Sequence, residues 1–220
     1  MIRVTRTPVA PASLAIEKEK PNGSYREPDV VEQLISDFNG KCYLCEIKPV
    51  QDAVVEHLLP HHGGRDRDRM FDWNNLFFCC SHCNSVKNKQ RYEKDVIDCC
   101  AVDPEGLISQ LLIDGKPSVT ALNALPEAEN TACLIKECFE STNPELGIRT
   151  HQCQVRLDEL KLTMSIFIKA LDNYRNHKSK SAYFALCGML ERKHKFSGFT
   201  RTYIRAHQAE YPELFSLLDT

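Results

Sequence analysis

The chain lacks the features that would place it in a membrane or outside a cell. No apolar run approaches the roughly 18 to 20 residues needed to cross a bilayer, and the N-terminus has no apolar stretch of the signal-peptide kind. A cytoplasmic protein is expected. There is no internal repeat and no low-complexity segment, which excludes solenoid and linker-dominated architectures. Net charge is nearly absent too, at −2, so the sequence has no overall basic excess of the kind a nucleic-acid binder often carries. That balance hides a segregation. Residues 95 to 150 hold ten acidic and three basic side chains, −7, whereas residues 151 to 207 hold eleven basic and four acidic, +7. A basic segment suits phosphate and an acidic one suits a protein partner, unless the two neutralise each other in the fold.

Cysteine is abundant, with 11 in 220 residues. Four stand as two pairs with the two-residue gap of a zinc knuckle, Cys42/Cys45 and Cys80/Cys83, in the runs "CYLC" and "CSHC". Two such knuckles complete a tetrahedral S4 site. With every position held by thiolate, a zinc there has no room for water or substrate and serves the fold. Cys79 is one residue too far from Cys83 for the same knuckle and is assigned to the core. Without an export signal the other cysteines, Cys99, Cys100, Cys133, Cys138, Cys153 and Cys187, are expected as reduced, buried, small apolar residues.

Between the knuckles stand "VVEHLLPHHGG" and "WNNLFF", and Asn84 follows the last cysteine directly. An acidic residue before His, an Asn before Leu, and a His or Asn after the final zinc cysteine make this stretch similar to the HNH endonuclease family. The matching positions are Glu56-His57, Asn75-Leu76 and Cys83-Asn84, with Lys87 where the family often has a basic residue. The wider chain resembles the PtuB-type HNH subunit of Septu and retron anti-phage defence systems. It opens on "MIRVTR" and carries "FSGFTRTYIR" from Phe196 to Arg205.

The resemblance implies an α+β protein, with a zinc-stabilised ββα-metal nuclease core over 28–94 and a mostly helical region over 95–220, while the prolines and polar residues of 1–27 read as an extended arm over the surface. The resemblance also implies phosphodiester hydrolysis, of DNA by family default, with a structured RNA such as tRNA open. His57 would be the general base, since imidazole titrates near neutral pH. Glu56 and Asn84 would hold one divalent cation, Mg2+ or Mn2+, because oxygen ligands favour a hard ion. Asn75 would fix the loop and the catalytic His. His61, His62 and Lys87 are candidate substrate contacts. The implied partners are an ABC or SMC-like ATPase of the PtuA type, and a retron reverse transcriptase with its DNA product. The alternatives are a non-catalytic zinc-binding nucleic-acid adaptor, in which the cysteines matter and His57 does not, and a stand-alone restriction-type HNH nuclease.

The remaining pattern gives expected elements. An apolar stripe of Val30, Val31, Leu34, Ile35 and Phe38 predicts a helix stopping at Asn39-Gly40. Ala53 to Leu59 and Leu76 to Cys79 read as strands, "RDRDR" as a loop, and Ser81 to about Tyr92 as a helix with His82 exposed or beside the zinc. Asp103-Pro104-Glu105 reads as a helix start, Asp114-Gly115 as a turn, Ala132 to Phe139 as a helix, and Asn143-Pro144 as another start. Leu157, Leu160, Met164, Phe167, Leu171 and Tyr174 recur at gaps of three and four along one long helix, a face for core packing or for a partner. Helices near Tyr183 and Tyr203 complete the chain. Partner docking is expected from residues 95–220, through acidic residues such as Glu137 and Glu140 or through apolar positions of the long helix.

Overall fold

A computed structural model describes residues 1 to 140, 142 and 150 to 218. About half of the chain is helical, and two small antiparallel sheets complete a mixed α and β architecture. Helices α1 (Ala12–Lys18) and α2 (Pro28–Asp37) precede strand β1 (Ala53–His57), the short helix α3 (Arg67–Met70), strand β2 (Leu76–Cys80) and helix α4 (Ser81–Lys87). A hairpin of β3 (Ile108–Ile113) and β4 (Lys116–Ala121) follows. Then come α5 (Pro126–Glu140), α6 (His151–His177), α7 (Lys180–Leu190), α8 (Ser197–Ala206) and α9 (Pro212–Phe215). No helix among the described residues is long and apolar enough to cross a membrane.

Pro28 fixes the first turn of α2, and Asn39 and Gly40 leave it at φ +54° and +64°, the left-handed stop that the sequence signalled. Val30 and Leu34 face the core from this helix and pack near β2, whose five residues are all buried. β1 and β2 pair from Ala53↔Cys80 to His57↔Leu76. Both strands match their sequence signals. Helix α4 is shorter than expected and stops at Lys87, with only a 3-10 turn over Gln90–Tyr92 beyond it. Within "RDRDR", Arg67 starts α3 after the Asp66 cap, and its guanidinium donates to the carbonyls of Lys18 and of Lys20 (2.8 Å) at the end of α1.

The N-terminal segment departs from the surface arm that its prolines suggested. Met1, Ile2 and Val4 are buried in the core. Arg6 lies over the rings of Trp73 and Phe77, 4.8 and 4.9 Å from their centroids, and donates to the carbonyls of Trp73 and Leu76 at 2.7 Å. The start of the chain is thus stapled to the loop that enters β2.

Asp103-Pro104-Glu105 makes a single 3-10 turn and leads into β3 instead of a helix. Asp114 and Gly115, at φ +49° and +71°, are the two central residues of a tight hairpin turn, which needs positive φ at both. The hairpin is covered by α5 on β4 and by α8 on β3. Helix α5 begins at Pro126, earlier than the apolar signal, and the expected start at Asn143-Pro144 lies outside the described residues. On α6 the stripe of Leu157, Leu160, Met164, Phe167 and Leu171 is buried, so that face belongs to the core and is not free for a partner.

The charge segregation is resolved inside the molecule in part. Glu105 receives Arg201 at 2.8 and 3.0 Å, Arg192 at 3.3 Å and Arg205, joining the acidic segment to the basic one. Glu137, expected on an acidic docking surface, instead holds Lys89, Arg91 and the Tyr92 hydroxyl (2.7 Å).

Candidate functional site

The knuckle cysteines converge. The Sγ atoms of Cys42, Cys45, Cys80 and Cys83 all lie within 4.8 Å of one another, and all four residues are fully enclosed. Zinc bonds to thiolate of about 2.3 Å in a tetrahedron put sulfurs about 3.8 Å apart. The Cys45 and Cys80 sulfurs stand at 3.9 Å, so a small inward movement of the set admits a zinc ion. Backbone geometry supports the same reading. Cys80 caps α4, and its sulfur accepts the Cys83 N–H at 3.4 Å, while Tyr43 N–H donates to Phe78 C=O at 3.1 Å and ties the first knuckle to β2. Contacts with the Cys42 and Cys45 thiols hold the Cys80 thiol well below its ordinary pKa, and burial pushes Cys45 and Cys83 up. Four buried sulfurs gathered this closely suit a divalent ion that replaces their protons.

Cys79 lies beside the cluster, its sulfur 3.8 Å from Cys42, yet outside the set of four. All eleven cysteines are free thiols. Cys99, Cys138 and Cys153 are buried as expected, Cys100 and Cys187 are half-buried, and Cys133 is exposed on α5, because its position falls on the outer side of that helix. His82 is buried rather than exposed, and its Nε2 meets the Cys138 carbonyl at 3.0 Å and the Cys153 sulfur at 3.3 Å.

Helix α4 also borders an open cleft of about 330 Å³, lined among others by Tyr25, Arg26, Glu56, His57, His61 and Asn84. Strand β1 delivers Glu56 and His57, α4 delivers Asn84 and Lys87, and the segment before α2 delivers Tyr25 and Arg26. His57 Nε2 lies 3.0 Å from the Met70 carbonyl. A carbonyl can only accept, so Nε2 carries the hydrogen and Nδ1 carries the lone pair. Burial lowers the pKa of His57 to about 4, which keeps the imidazole neutral at neutral pH with its lone pair free to accept a proton. Tyr25 meets this ring edge-on at 4.5 Å and His61 lies 4.4 Å away, centroid to centroid. His61 Nδ1 accepts the Gly64 N–H at 2.8 Å, fixing its hydrogen on Nε2, and burial lowers its pKa as well. His62 lines the cleft rim, exposed, at φ +52°.

Asn75 touches no cleft surface. Its amide accepts Leu59 N–H at 2.7 Å and donates to the carbonyls of Leu59 (2.9 Å) and Arg69 (3.0 Å), clamping the end of β1 to the residue before Met70. Through Met70 this clamp sets the position of the His57 acceptor.

Glu56 and Lys87 sit otherwise than their expected roles require. Glu56 is buried, with Lys87 Nζ on one oxygen at 2.9 Å and the Tyr43 hydroxyl donating to the other at 2.9 Å. Burial raises the Glu56 pKa and the Lys87 charge opposes that rise. Lys87 also donates to the His57 carbonyl at 3.0 Å and is itself buried, so its charge is turned inward rather than presented as a track for phosphate. The remaining cation on the cleft is Arg26, exposed, whose guanidinium lies over the Tyr25 ring at 4.9 Å and donates to its hydroxyl. Nothing in the sequence singled out Tyr25 and Arg26, because they lie far from the motif and carry no spacing signal.

A second polar centre was not legible either. Glu46, one residue past the first knuckle, is buried and accepts from the Met1 ammonium (2.8 Å), Lys41 (2.9 Å), Ser197 (3.0 Å) and the Gly198 N–H (3.2 Å). Lys41 and the Met1 ammonium outweigh the cost of burial and hold its carboxyl far below the usual range. A side chain at Gly198 would run into the Glu46 carboxylate and the Gln110 amide and would have to displace both. The chain matches no protein-family model and none of the curated proteins.

Proposed function

We propose that this chain is a metal-dependent endonuclease of the HNH type that hydrolyses phosphodiester bonds, with DNA as the favoured substrate. One observation carries the reading. A neutral, carbonyl-oriented His57 and the amide of Asn84 line one open cleft beside a helix anchored in the S4 cluster. That is the arrangement a hydrolytic base and an oxygen ligand require.

In this mechanism His57 Nδ1 takes a proton from water as the water oxygen bonds to phosphorus and a P–O ester bond breaks, the leaving oxygen taking a proton from solvent water. The Met70 carbonyl stabilises the resulting imidazolium by accepting from Nε2–H, and the Asn75 clamp keeps that carbonyl in place. Arg26 supplies a positive charge at the cleft for the phosphate. Asn84 would offer an amide oxygen to a hard cation, Mg2+ or Mn2+, whereas both Glu56 oxygens are held by Lys87 and Tyr43, so Glu56 would join such an ion only on release of the Lys87 ammonium. Such an ion, when bound, supplies charge neutralisation on the phosphate. Zinc in the S4 cluster would stay structural, since four sulfurs leave it no open position.

On the same resemblance, an ABC or SMC-like ATPase restrains or delivers the nuclease within an anti-phage complex. The experiment is incubation of the purified chain, alone and with such an ATPase, with plasmid DNA and with total RNA in Mg2+ or Mn2+. Cleavage by the wild type that disappears in His57→Ala, with zinc content retained, supports the reading. Equal cleavage by His57→Ala refutes it, and nucleic-acid binding without cleavage under every condition favours the adaptor.

A further inference from the structure

Arg156, on the second turn of α6, is a buried cation with an unusual set of neighbours. It is 5% exposed. One terminal nitrogen donates to the Gln152 carbonyl at 2.7 Å, within its own helix, and the other donates to the Cys80 sulfur at 2.9 Å. Its Nε is buried without a hydrogen-bond partner, and among the described residues it pairs with no carboxylate. A guanidinium stays charged at any pH a protein meets. An uncompensated charge in such a place is strongly destabilising, so an anion must stand beside it. The available anion is the S4 cluster. Four thiolates around one Zn2+ leave a net charge of −2, and one arginine halves it.

We propose that Arg156 is the counter-cation of the zinc centre, a positioning residue that hydrogen-bonds the Cys80 thiolate and thereby locks the long helix α6 onto the metal site. The contact draws charge from the sulfur, so the zinc–thiolate bond is less open to attack by protons and chelators. It also makes the docking of α6 and the occupancy of the zinc site mutually dependent. Cys153, one turn earlier on α6, reaches the Cys138 carbonyl at 3.3 Å and His82 at 3.3 Å, so the same end of the helix also holds a residue between Cys80 and Cys83. This inference stands apart from the nuclease reading, because it needs the zinc and not the cleft.

The test uses the full chain with zinc bound and two variants, Arg156→Met, which keeps the bulk without the charge, and Arg156→Lys, which keeps the charge without the planar fork. Zinc release into excess chelator is followed with a chromogenic indicator. Cobalt-substituted protein reports the thiolate-to-metal charge-transfer band. Release from Arg156→Met is expected to be at least about tenfold faster than from wild type, as loss of a hydrogen bond to a charged group implies. Arg156→Lys is expected to fall between, and the cobalt band to shift in both. If Arg156→Met does not fold, Arg156→Lys alone decides. A wild-type release rate overturns the proposal, as does faster release with an unmoved cobalt band, which would reduce Arg156 to a packing residue. A chain that folds with no metal in the cluster overturns it too.

Discussion

Replacing Asn75 by Ala and by Asp gives two outcomes whose order is fixed by the clamp it forms. Asn75 satisfies one N–H and two carbonyls, those of Leu59 and Arg69, while itself only 5% exposed. In Asn75→Ala these groups lose their partner, and a buried unsatisfied group costs about 1 to 3 kcal/mol. Some relief from water leaves an expected loss of about 2 kcal/mol, or roughly 4 to 8 °C in melting temperature for a chain of this size. In Asn75→Asp the Leu59 N–H keeps an acceptor, but an ionised oxygen now faces two carbonyl oxygens. Aspartate should therefore be worse than alanine at pH 7.5. Repulsion and burial raise the pKa of the new carboxyl above about 3.9, so its penalty is full at high pH and eases as pH falls and the acid becomes a donor. Denaturant melts of both variants at pH 7.5 and pH 5 supply the check. Asn75→Asp as stable as Asn75→Ala at pH 7.5, or no convergence at pH 5, would refute the clamp as described. Both variants should also slow cleavage more than their stability loss explains, because Met70, which orients His57, follows directly on Arg69.

Serine at Cys42, Cys45, Cys80 or Cys83 should abolish zinc binding and leave the chain unfolded, whereas Cys79→Ser should keep one zinc per chain by metal analysis. Cleavage should stay near its plateau from pH 8 down to about 5 and fall below that. The His57 pKa is lowered to about 4, so the base is neutral throughout that window, and an inflection near 6.5 would mean an imidazole exposed to solvent. Glu46→Gln leaves Lys41 and the Met1 ammonium buried without their carboxylate and should cost about 3 to 5 kcal/mol at pH 7. The wild-type advantage over that variant should shrink as pH drops through and below 4.5, because a carboxyl with a lowered folded pKa loses its stabilisation on protonation.

The four-cysteine cluster and its β1, β2 and α4 frame were legible because the spacing of two cysteine pairs is a local rule with a geometric cause. Helix α2 and the stripe on α6 were legible because period 3.6 survives packing. The β3 and β4 hairpin had its signal in Asp114-Gly115, but Asp103-Pro104-Glu105 fits the start of either a helix or a single 3-10 turn, and only the packing of α5 and α8 decides. Tyr25, Arg26, Glu46 and Arg156 were invisible for a shared reason. Each is a polar residue that no spacing rule assigns, even where it lies beside a motif as Glu46 does or in a periodic helix as Arg156 does, and its role comes from partners far along the chain. Lys87, expected at the substrate, lies buried against Glu56, a partner on β1 that no local pattern announces.

Glu46 changes how this chain can be dissected. Its carboxylate gathers groups from the first residue, from the turn before the first knuckle and from the start of α8, some 150 positions later, next to Cys45 of the four-sulfur cluster. A fragment that stops near residue 100 keeps every motif residue yet discards Gln110, Ser197 and Gly198, leaving the carboxylate with two cations and a void where α8 had been. Such a fragment would report its own misfolding, whatever assay were applied to it. Questions of catalysis and of partner binding are therefore answerable on this molecule by single substitutions in the intact chain, and unfolding should be one concerted transition in which the metal, the cleft and the C-terminal helices are lost together.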